Sequence, residues 1–529
     1  MARNNAGGHI AKGQKNFAAV PAPTVPRSVF NRDTQLFTGF KAGDLVPIFR
    51  DEVTPGDTIN MGARFFGRLE PLIRPIMSGL YVDVFFFAVP HRLVWDNWQK
   101  MHGEQTDPGD STDFLAPLLD DPGPTGFGED SLHDYMGVPP GVQLTNISAM
   151  WARAYTLIWN EWFRDQKLQD TKPVATDDGP DTPSDYPLQK RGKRHDYFTS
   201  ANPYLQKGNA VNLPIGATTA PLVTTTTTGG VGVPTFDLNG TTSSLQQVTA
   251  STTNTQWSSI PGSGNPLAAW QDPGLEADLT TATATTVNEL REAIALQQVL
   301  ETDARGGTRY TEMIRAHFGV SSEDQRLQRP ELLGLSSFNV NPHAVTNMGQ
   351  IGNPLGALGA FGTLSGNCNF TRSFTEHMMI IGLASLRSDL IYQQGVSKDF
   401  TRRDRYDWPL PGLAHLGEQE ILSQEIYADG TANDQDVFGY QERYAERRYK
   451  PSEVTSIMRS THSQSQDYYH LAQDFGSRPL LNSTFIEENP PMSRVLAQTE
   501  EVQILFNAWF TYRHAQPLPV YGVPGLRRL

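Results

Sequence analysis

The chain has 529 residues, 46 glycines, 37 prolines, an aromatic content of 10% and a formal net charge of −14. Glycine and proline together make up about 16% of it against a typical ~12%, which excludes a mostly helical protein, and the 38% hydrophobic content excludes a disordered one. The single cysteine, Cys368, excludes an intrachain disulfide framework and any multi-cysteine metal site.

Residues 1–38 read as a basic arm. Up to Arg32 they hold Arg3, Lys12, Lys15, Arg27 and Arg32 and no acidic side chain, among small residues and prolines that give little internal structure. Met1 to Phe30 contain no apolar core of the secretory kind, so synthesis in a reducing cytoplasm without export is expected. From Gly39 to Ala88 the pattern is strand-like. Turn signals at Pro55-Gly56-Asp57 and Ser78-Gly79 bracket apolar runs, and the alternation from Leu80 to Ala88 predicts a strand with one buried face. Trp95 to Met101 and Ile147 to Leu168 have helical spacing, and the aromatic residues of the second read as core. The acidic, Pro- and Gly-rich segment Asp107 to Pro140 between them is expected to be a surface loop.

From Gly208 through Leu290 there are 83 residues without lysine or arginine, and residues 212–286 hold 19 threonines. Such a segment cannot attract phosphate, and its composition suits short strands and turns in an insertion facing solvent. Thr286 with Glu289 forms a capping-box signature for a helix ending at Arg305-Gly306-Gly307, and a short helix is predicted from Thr308 to Phe318. Glycines 349, 352, 356, 359, 362 and 366 mark a loop. The uncharged apolar run Met378 to Leu386 is far shorter than the ~20 residues that span a bilayer as a helix, so no membrane insertion is expected. Val502 to Tyr512 alternate as a strand with one face on the core. The chain ends basic, at Arg527 and Arg528.

Enzymatic signatures are missing. There is no phosphate-binding loop, and Gly362-Thr363-Leu364-Ser365-Gly366 misses the nucleophile elbow by one position. Glu376-His377 has no second histidine at helical distance, and the twelve histidines are dispersed. No catalytic, cofactor or metal residue is therefore assigned, and the chain is read as a non-enzyme. One basic and aromatic cluster stands out: Tyr440, Arg443, Tyr444, Arg447, Arg448, Tyr449 and Lys450. Aromatic rings stack on bases while arginines hold phosphates, but Glu442 and Glu446 lie at pairing distance, so both a DNA contact and a subunit contact fit. Trp408, beside Arg402, Arg403, Arg405 and Tyr406, has the same two readings.

Several stretches resemble the major capsid proteins of microviruses, in particular the gokushovirus branch. They are Phe87 to Trp98 (FAVPHRLVWDNW), Asp196 to Gly208 (DYFTSANPYLQKG), Asp303 to Gly319 (DARGGTRYTEMIRAHFG), Val437 to Lys450 (VFGYQERYAERRYK), Phe485 to Arg494 (FIEENPPMSR) and Tyr521 to Leu526 (YGVPGL). The resemblance implies a mainly β fold, an antiparallel eight-stranded viral jelly roll with long loop insertions and a few short helices. Residues 39–211 would form its first part, 212–286 a protrusion at the threefold axes that contributes to host attachment, and 287–529 the remainder with a basic tail. It also implies bacteriophage capsid subunits, made in the bacterial cytoplasm, that self-assemble into a small icosahedral virion around circular single-stranded DNA. The implied partners are further copies of the chain, the DNA, a small DNA-binding protein, a pilot or vertex protein and a host surface receptor. Arg3, Lys12, Lys15, Arg527 and Arg528 would face the DNA, or the arm would strap neighbouring subunits. Shell contacts are expected from the loops carrying Trp95, Trp98, Trp408 and Tyr440. The rival reading is a lectin-like jelly roll that binds glycans.

Overall fold

The structure, a computed structural model, describes residues 26–211, 286–346, 358–498 and 502–521, with four short backbone segments at 223–225, 249–250, 255–256 and 275–277. Two compact units are present: Met1–Leu205 with Asp303–Leu529, and Gln206–Thr302.

The framework of the first unit begins with five closely spaced strands: β1 (Ser28–Asn31), β2 (Thr34–Phe40), β3 (Val46–Val53), β4 (Thr58–Leu69) and β5 (Leu80–Pro90). After residues 91–330 come β6 (Glu331–Asn339), β7 (Asn341–Thr346), β8 (Leu358–Ser373) and β9 (Met378–Ser388). The insertion after β9 contains the small pair β10 (Glu418–Leu422) and β11 (Val437–Glu442), and the last strand is β12 (Ile504–Gln516). One sheet runs β7-β8-β4-β12, with β1 and β2 both pairing to the far side of β12; the other runs β6-β5-β9-β3. Every pairing in both sheets is antiparallel. With β1 and β2 sharing one position at the edge of β12, and β7 set aside as an extra hairpin strand outside β8, eight strand positions form two four-position sheets, which is the antiparallel viral jelly roll.

The sheets bury their facing sides against each other. β4 presents Ile59, Met61, Ala63 and Phe65 inward, and β12 presents Ile504, Phe506, Ala508, Phe510 and Tyr512 at the same two-residue period. Phe65 stacks on Phe506 of the neighbouring strand at 5.6 Å, and Phe49 of β3 lies 4.9 Å from Phe510 of β12, so an aromatic pair joins the two layers. The predicted strand at Val502 to Tyr512 is present, extended to Gln516.

β5 departs from the expectation of one buried face. Tyr81 alone is half-buried along it and the rest of the strand is buried, because a second core covers its outer side. Phe85, Phe87 and Val89, with Met379, Ile381 and Leu383 of β9, pack there against helix α1 (Met150–Ile158). α1 continues into a π-helical turn, Trp159–Phe163, which places Trp162 and Phe163 against Phe87. Trp95 is fully buried in this core and donates from Nε1 to Asp178 Oδ1 at 2.7 Å, so its own side chain serves packing.

The described part of the glycine-rich segment is a second correction; glycines 349, 352 and 356 lie outside the described residues. Gly359, Gly362 and Gly366 lie in β8 and not in a loop. A Cβ on Gly366 would fall 2.0 Å from Phe338 Cδ1, and one on Gly362 would fall 2.7 Å from Leu69. Gly366 makes room for a side chain of the facing sheet, and Gly362 for Leu69 on the neighbouring strand and for Val340.

In the second unit, strands 223–225 and 275–277 pair antiparallel, as do 249–250 and 255–256. Helix α2 (Val287–Gly306) starts on the predicted box: Thr286 N–H donates to Glu289 Oε2 at 2.8 Å and Glu289 N–H to Thr286 Oγ1 at 3.2 Å. Helix α3 (Tyr310–Phe318), in the first unit, ends at Gly319 in the left-handed conformation. The remainder of the threonine-rich stretch lies outside the described residues.

Candidate assembly and nucleic-acid surfaces

The cluster singled out in the sequence sits on the insertion between β9 and β12. Tyr440 lies in β11 opposite Glu420 of β10, and its backbone exchanges hydrogen bonds with Asn202 at 2.7 and 2.8 Å. This ties the small sheet to the segment that carries Tyr197 and Phe198, whose rings share a third core with Tyr392, Phe438 and Phe485. The chain then turns at Tyr444, which takes a left-handed backbone (φ 63°) and is buried; its hydroxyl accepts from Leu410 N–H at 3.2 Å. Tyr444 therefore cannot stack on a base.

The arginines divide into two groups. Arg448 is paired with Glu442, and Arg443 lies over the Tyr444 ring at 5.2 Å. Arg402 is bonded to Asp399 at 2.8 Å and Glu446 at 3.2 Å, and covers the Trp408 ring at 5.4 Å. Arg447 and Lys450 are exposed. Beside them, Phe400, Tyr406, Trp408 and Tyr449 are exposed at 84, 64, 56 and 47%. Phe400 lines two neighbouring clefts of about 590 and 650 Å³; Arg402, Arg403 and Tyr406 line the first, Arg447 and Tyr449 the second. Exposed aromatic side chains among internally paired arginines are the chemistry of a protein contact surface more than of a phosphate track.

The other sequence-derived residues fall elsewhere. Arg3, Lys12, Lys15, Arg527 and Arg528 lie outside the described residues. Trp98 is half-buried in a ring cluster, stacked on His91 at 4.2 Å and 4.4 Å from His102, which is in turn 4.9 Å from His377. Among the described residues no group of three or more histidine, cysteine or acidic side chains is arranged to hold a metal ion. No described helix is long and apolar enough to cross a membrane.

Sequence reasoning missed the basic run Lys190-Arg191-Gly192-Lys193-Arg194. It forms a backbone bridge to residues 486–488, with Lys193 N–H donating to Ile486 O at 2.7 Å and Glu488 N–H to Arg191 O at 2.8 Å. Four cations in five residues was a local signal, but their convergence with α3 and β9 is set by tertiary structure.

Comparison with known proteins settles the kinship. Residues 18–526 match the family described as capsid protein (F protein). The chain is 44% identical to "Capsid protein VP1" of Bdellovibrio phage phiMH2K over 525 residues, covering 97% of each chain. It is 37% identical to the protein of that name from Chlamydia phage 1 over 597 residues, covering 98% of this chain and 100% of the relative. For Spiroplasma virus 4 the identity is 33% over 557 residues, covering 97 and 98%. A jelly-roll framework matched over nearly its whole length by phage shell proteins leaves one assignment: the chain belongs to the capsid protein (F protein) family and is a structural capsid protein.

Proposed function

We propose that this chain is the major subunit of a small icosahedral shell that encloses a circular single-stranded DNA genome and catalyses nothing. The observation that carries the reading is similarity to three VP1 capsid proteins over almost the full length of each. Closed shells repeat heterologous contacts by rotation, so every copy must offer complementary patches. The exposed aromatic residues around Trp408 and Tyr449, with Tyr440, Arg443, Arg447 and Arg448 behind them, are the proposed subunit contact; Tyr444 holds the turn. The basic arm and tail, through Arg3, Lys12, Lys15, Arg527 and Arg528, face the interior and neutralise DNA phosphates. Residues 212–286 project outward as a protrusion and contribute to attachment to a host receptor. A small DNA-binding protein and a pilot or vertex protein complete the particle, and synthesis takes place in the cytoplasm of the bacterial host.

Negative-stain microscopy of the expressed full chain tests the reading. Shells of uniform size with nuclease-protected DNA are expected; discrete monomers with affinity for sugars overturn it. Replacing Arg3, Lys12 and Lys15 by Gln should lower DNA retention at raised salt, and unchanged retention removes the arm's DNA role.

A further inference from the structure

The molecule is acidic as a whole, yet one cavity of about 960 Å³ in the first unit is strongly basic. Nine lysines and arginines line it against two carboxylates, Asp165 and Glu312. Six of its seven arginines come from five separate segments: Arg164 after the π turn, Arg191 and Arg194 from the basic run, Arg309 before α3, Arg315 on α3 and Arg387 on β9; the seventh, Arg305, lies in the last turn of α2. Carboxylates behind the wall offset part of this excess: Glu312 pairs with Arg309 at 3.2 Å, and Glu488 lies close enough to attract Lys193, Arg191 and Arg387. Asp83, on β5, serves both Arg191 and Arg387, while Arg194 reaches Asp389 at 3.2 Å and Arg305 pairs with Glu418.

The cations also crowd one another. Arg309 donates to the Arg164 carbonyl at 2.6 Å, and the Nε of each of these two side chains is buried without a hydrogen-bond partner. Burial, followed by the neighbouring Arg191, pushes the Arg387 guanidinium down to about 10, and burial followed by Arg309 lowers that of Arg164. Guanidiniums held together in this way favour a bound anion.

The aromatic lining is already engaged. The Trp162 ring has Phe87 at 5.4 Å and the Arg329 guanidinium at 4.6 Å, and its Nε1 donates to Pro330 O at 2.9 Å; Phe85 and Phe87 are buried. The rings of the lining pack against one another and under Arg329, with Phe163 set edge-on to Phe85 and Phe87, so recognition falls to charge. The volume lies at the upper end of the ~300–1,000 Å³ range of ligand pockets and far exceeds one phosphate. Guanidiniums spread around its wall suit several phosphates in a row, where a single carboxylate terminus would call for one fork.

We propose that this cavity binds a short run of phosphodiester backbone from a nucleic-acid strand, holding the phosphates without reading the bases. The inference rests on the genome-enclosing reading and gives it a specific site, apart from the arm.

The test is equilibrium binding of fluorescein-labelled oligothymidylate to the purified full chain, followed by anisotropy across a salt series. Arg315 is exposed, and no ion pair to it is among those of the described residues, so Arg315→Gln should leave thermal unfolding unchanged. Combining Arg164→Gln with Arg315→Gln should weaken binding about fivefold or more and flatten the salt slope by roughly 1.4, at ~0.7 for each single-strand phosphate no longer neutralised. Oligodeoxyadenylate should bind as oligothymidylate does, and inorganic phosphate should compete only as ionic strength predicts. Unchanged affinity and slope in both variants overturn the proposal, as does displacement of the strand by oligoglutamate of equal charge at equal concentration, which would assign the cavity to an acidic peptide. If the variants bind normally while wild-type shells still carry DNA, the cavity assignment alone fails; shells without DNA overturn the genome-enclosing reading itself.

Discussion

Arg153 and Asp181 form a doubly hydrogen-bonded ion pair inside the insertion that follows β5, with Nε to Oδ2 at 2.7 Å and NH2 to Oδ1 at 2.6 Å. Arg153 is fully buried and the Asp181 side chain is 5% exposed. Arg153 also donates to the carbonyls of Val94 and Asp177, and Tyr186 donates its hydroxyl to Asp181 at 2.6 Å. Burial alone would raise the Asp181 carboxyl, but the bonds from Arg153 and Tyr186 outweigh it and hold the group below its ordinary range. Arg153→Met leaves a buried carboxylate without its partner and is expected to destabilise the protein by about 3–5 kcal/mol. Changing both residues to apolar ones should cost less than the single change. Chemical denaturation of the three proteins measures this, and a single variant as stable as wild type would remove the pair from the account.

Acid should loosen the ring cluster of His91, Trp98, His102 and His377. Burial, then the neighbouring His377 and His102, pushes the His91 imidazole down to about 4 despite its bond with the His377 backbone. The folded state thus favours neutral His91, while the unfolded chain takes up a proton near the ordinary 6.5. The stabilisation is complete above about pH 6.5 and is lost as pH falls toward 4, by about 3 kcal/mol over the full window at 1.36 kcal/mol per unit. His377 is shifted in the same direction, again mainly by burial. Thermal unfolding between pH 7 and 5 should fall less steeply in His91→Phe than in wild type; identical profiles would count against His91 as the titrating group.

Gly366→Ala should overpack the sandwich where β8 crosses Phe338. With an ideal Cβ 2.0 Å from that ring, a loss of about 1–3 kcal/mol is expected, partly restored by Phe338→Val in the same chain. Paired denaturation curves test it, and a neutral Gly366→Ala would show that the ring moves freely.

Trp408→Ser with Tyr449→Ser removes two exposed aromatic residues and should change monomer stability by no more than about 0.5 kcal/mol. Assembly, read by sedimentation, should be impaired. Normal shells from this variant would shift the subunit contact to another surface.

The legibility of these features follows their physical range. β12 was visible because one face meets the core and the other does not, so its hydrophobic residues alternate. The start of α2 was visible because Thr286 and Glu289 satisfy each other within one turn. β5 was misread as one-sided, since the helix that covers Phe85 and Phe87 comes some sixty residues later and leaves no mark on the strand beyond its unbroken apolar run. The β8 glycines carry the same local signal as a loop; only Phe338 on the facing sheet, Val340 and Leu69 on the neighbouring strand explain Gly362 and Gly366. The exposed aromatic surface was half legible, as the Tyr440 to Lys450 cluster showed its charges but not that Tyr444 points inward. The basic cavity was least legible, being assembled from separate segments of which only the Lys190 to Arg194 run is dense enough to notice.

β12 follows every other framework strand in sequence yet lies inside its sheet, between β2 and β4. During synthesis on the ribosome, both neighbours therefore wait with open edges until the final strand emerges, and pairings across so large a sequence separation form slowly. A nascent or prematurely terminated polypeptide cannot close its sandwich. Chains that stop short of Ile504 lack the strand that joins β2 to β4 and are expected not to fold.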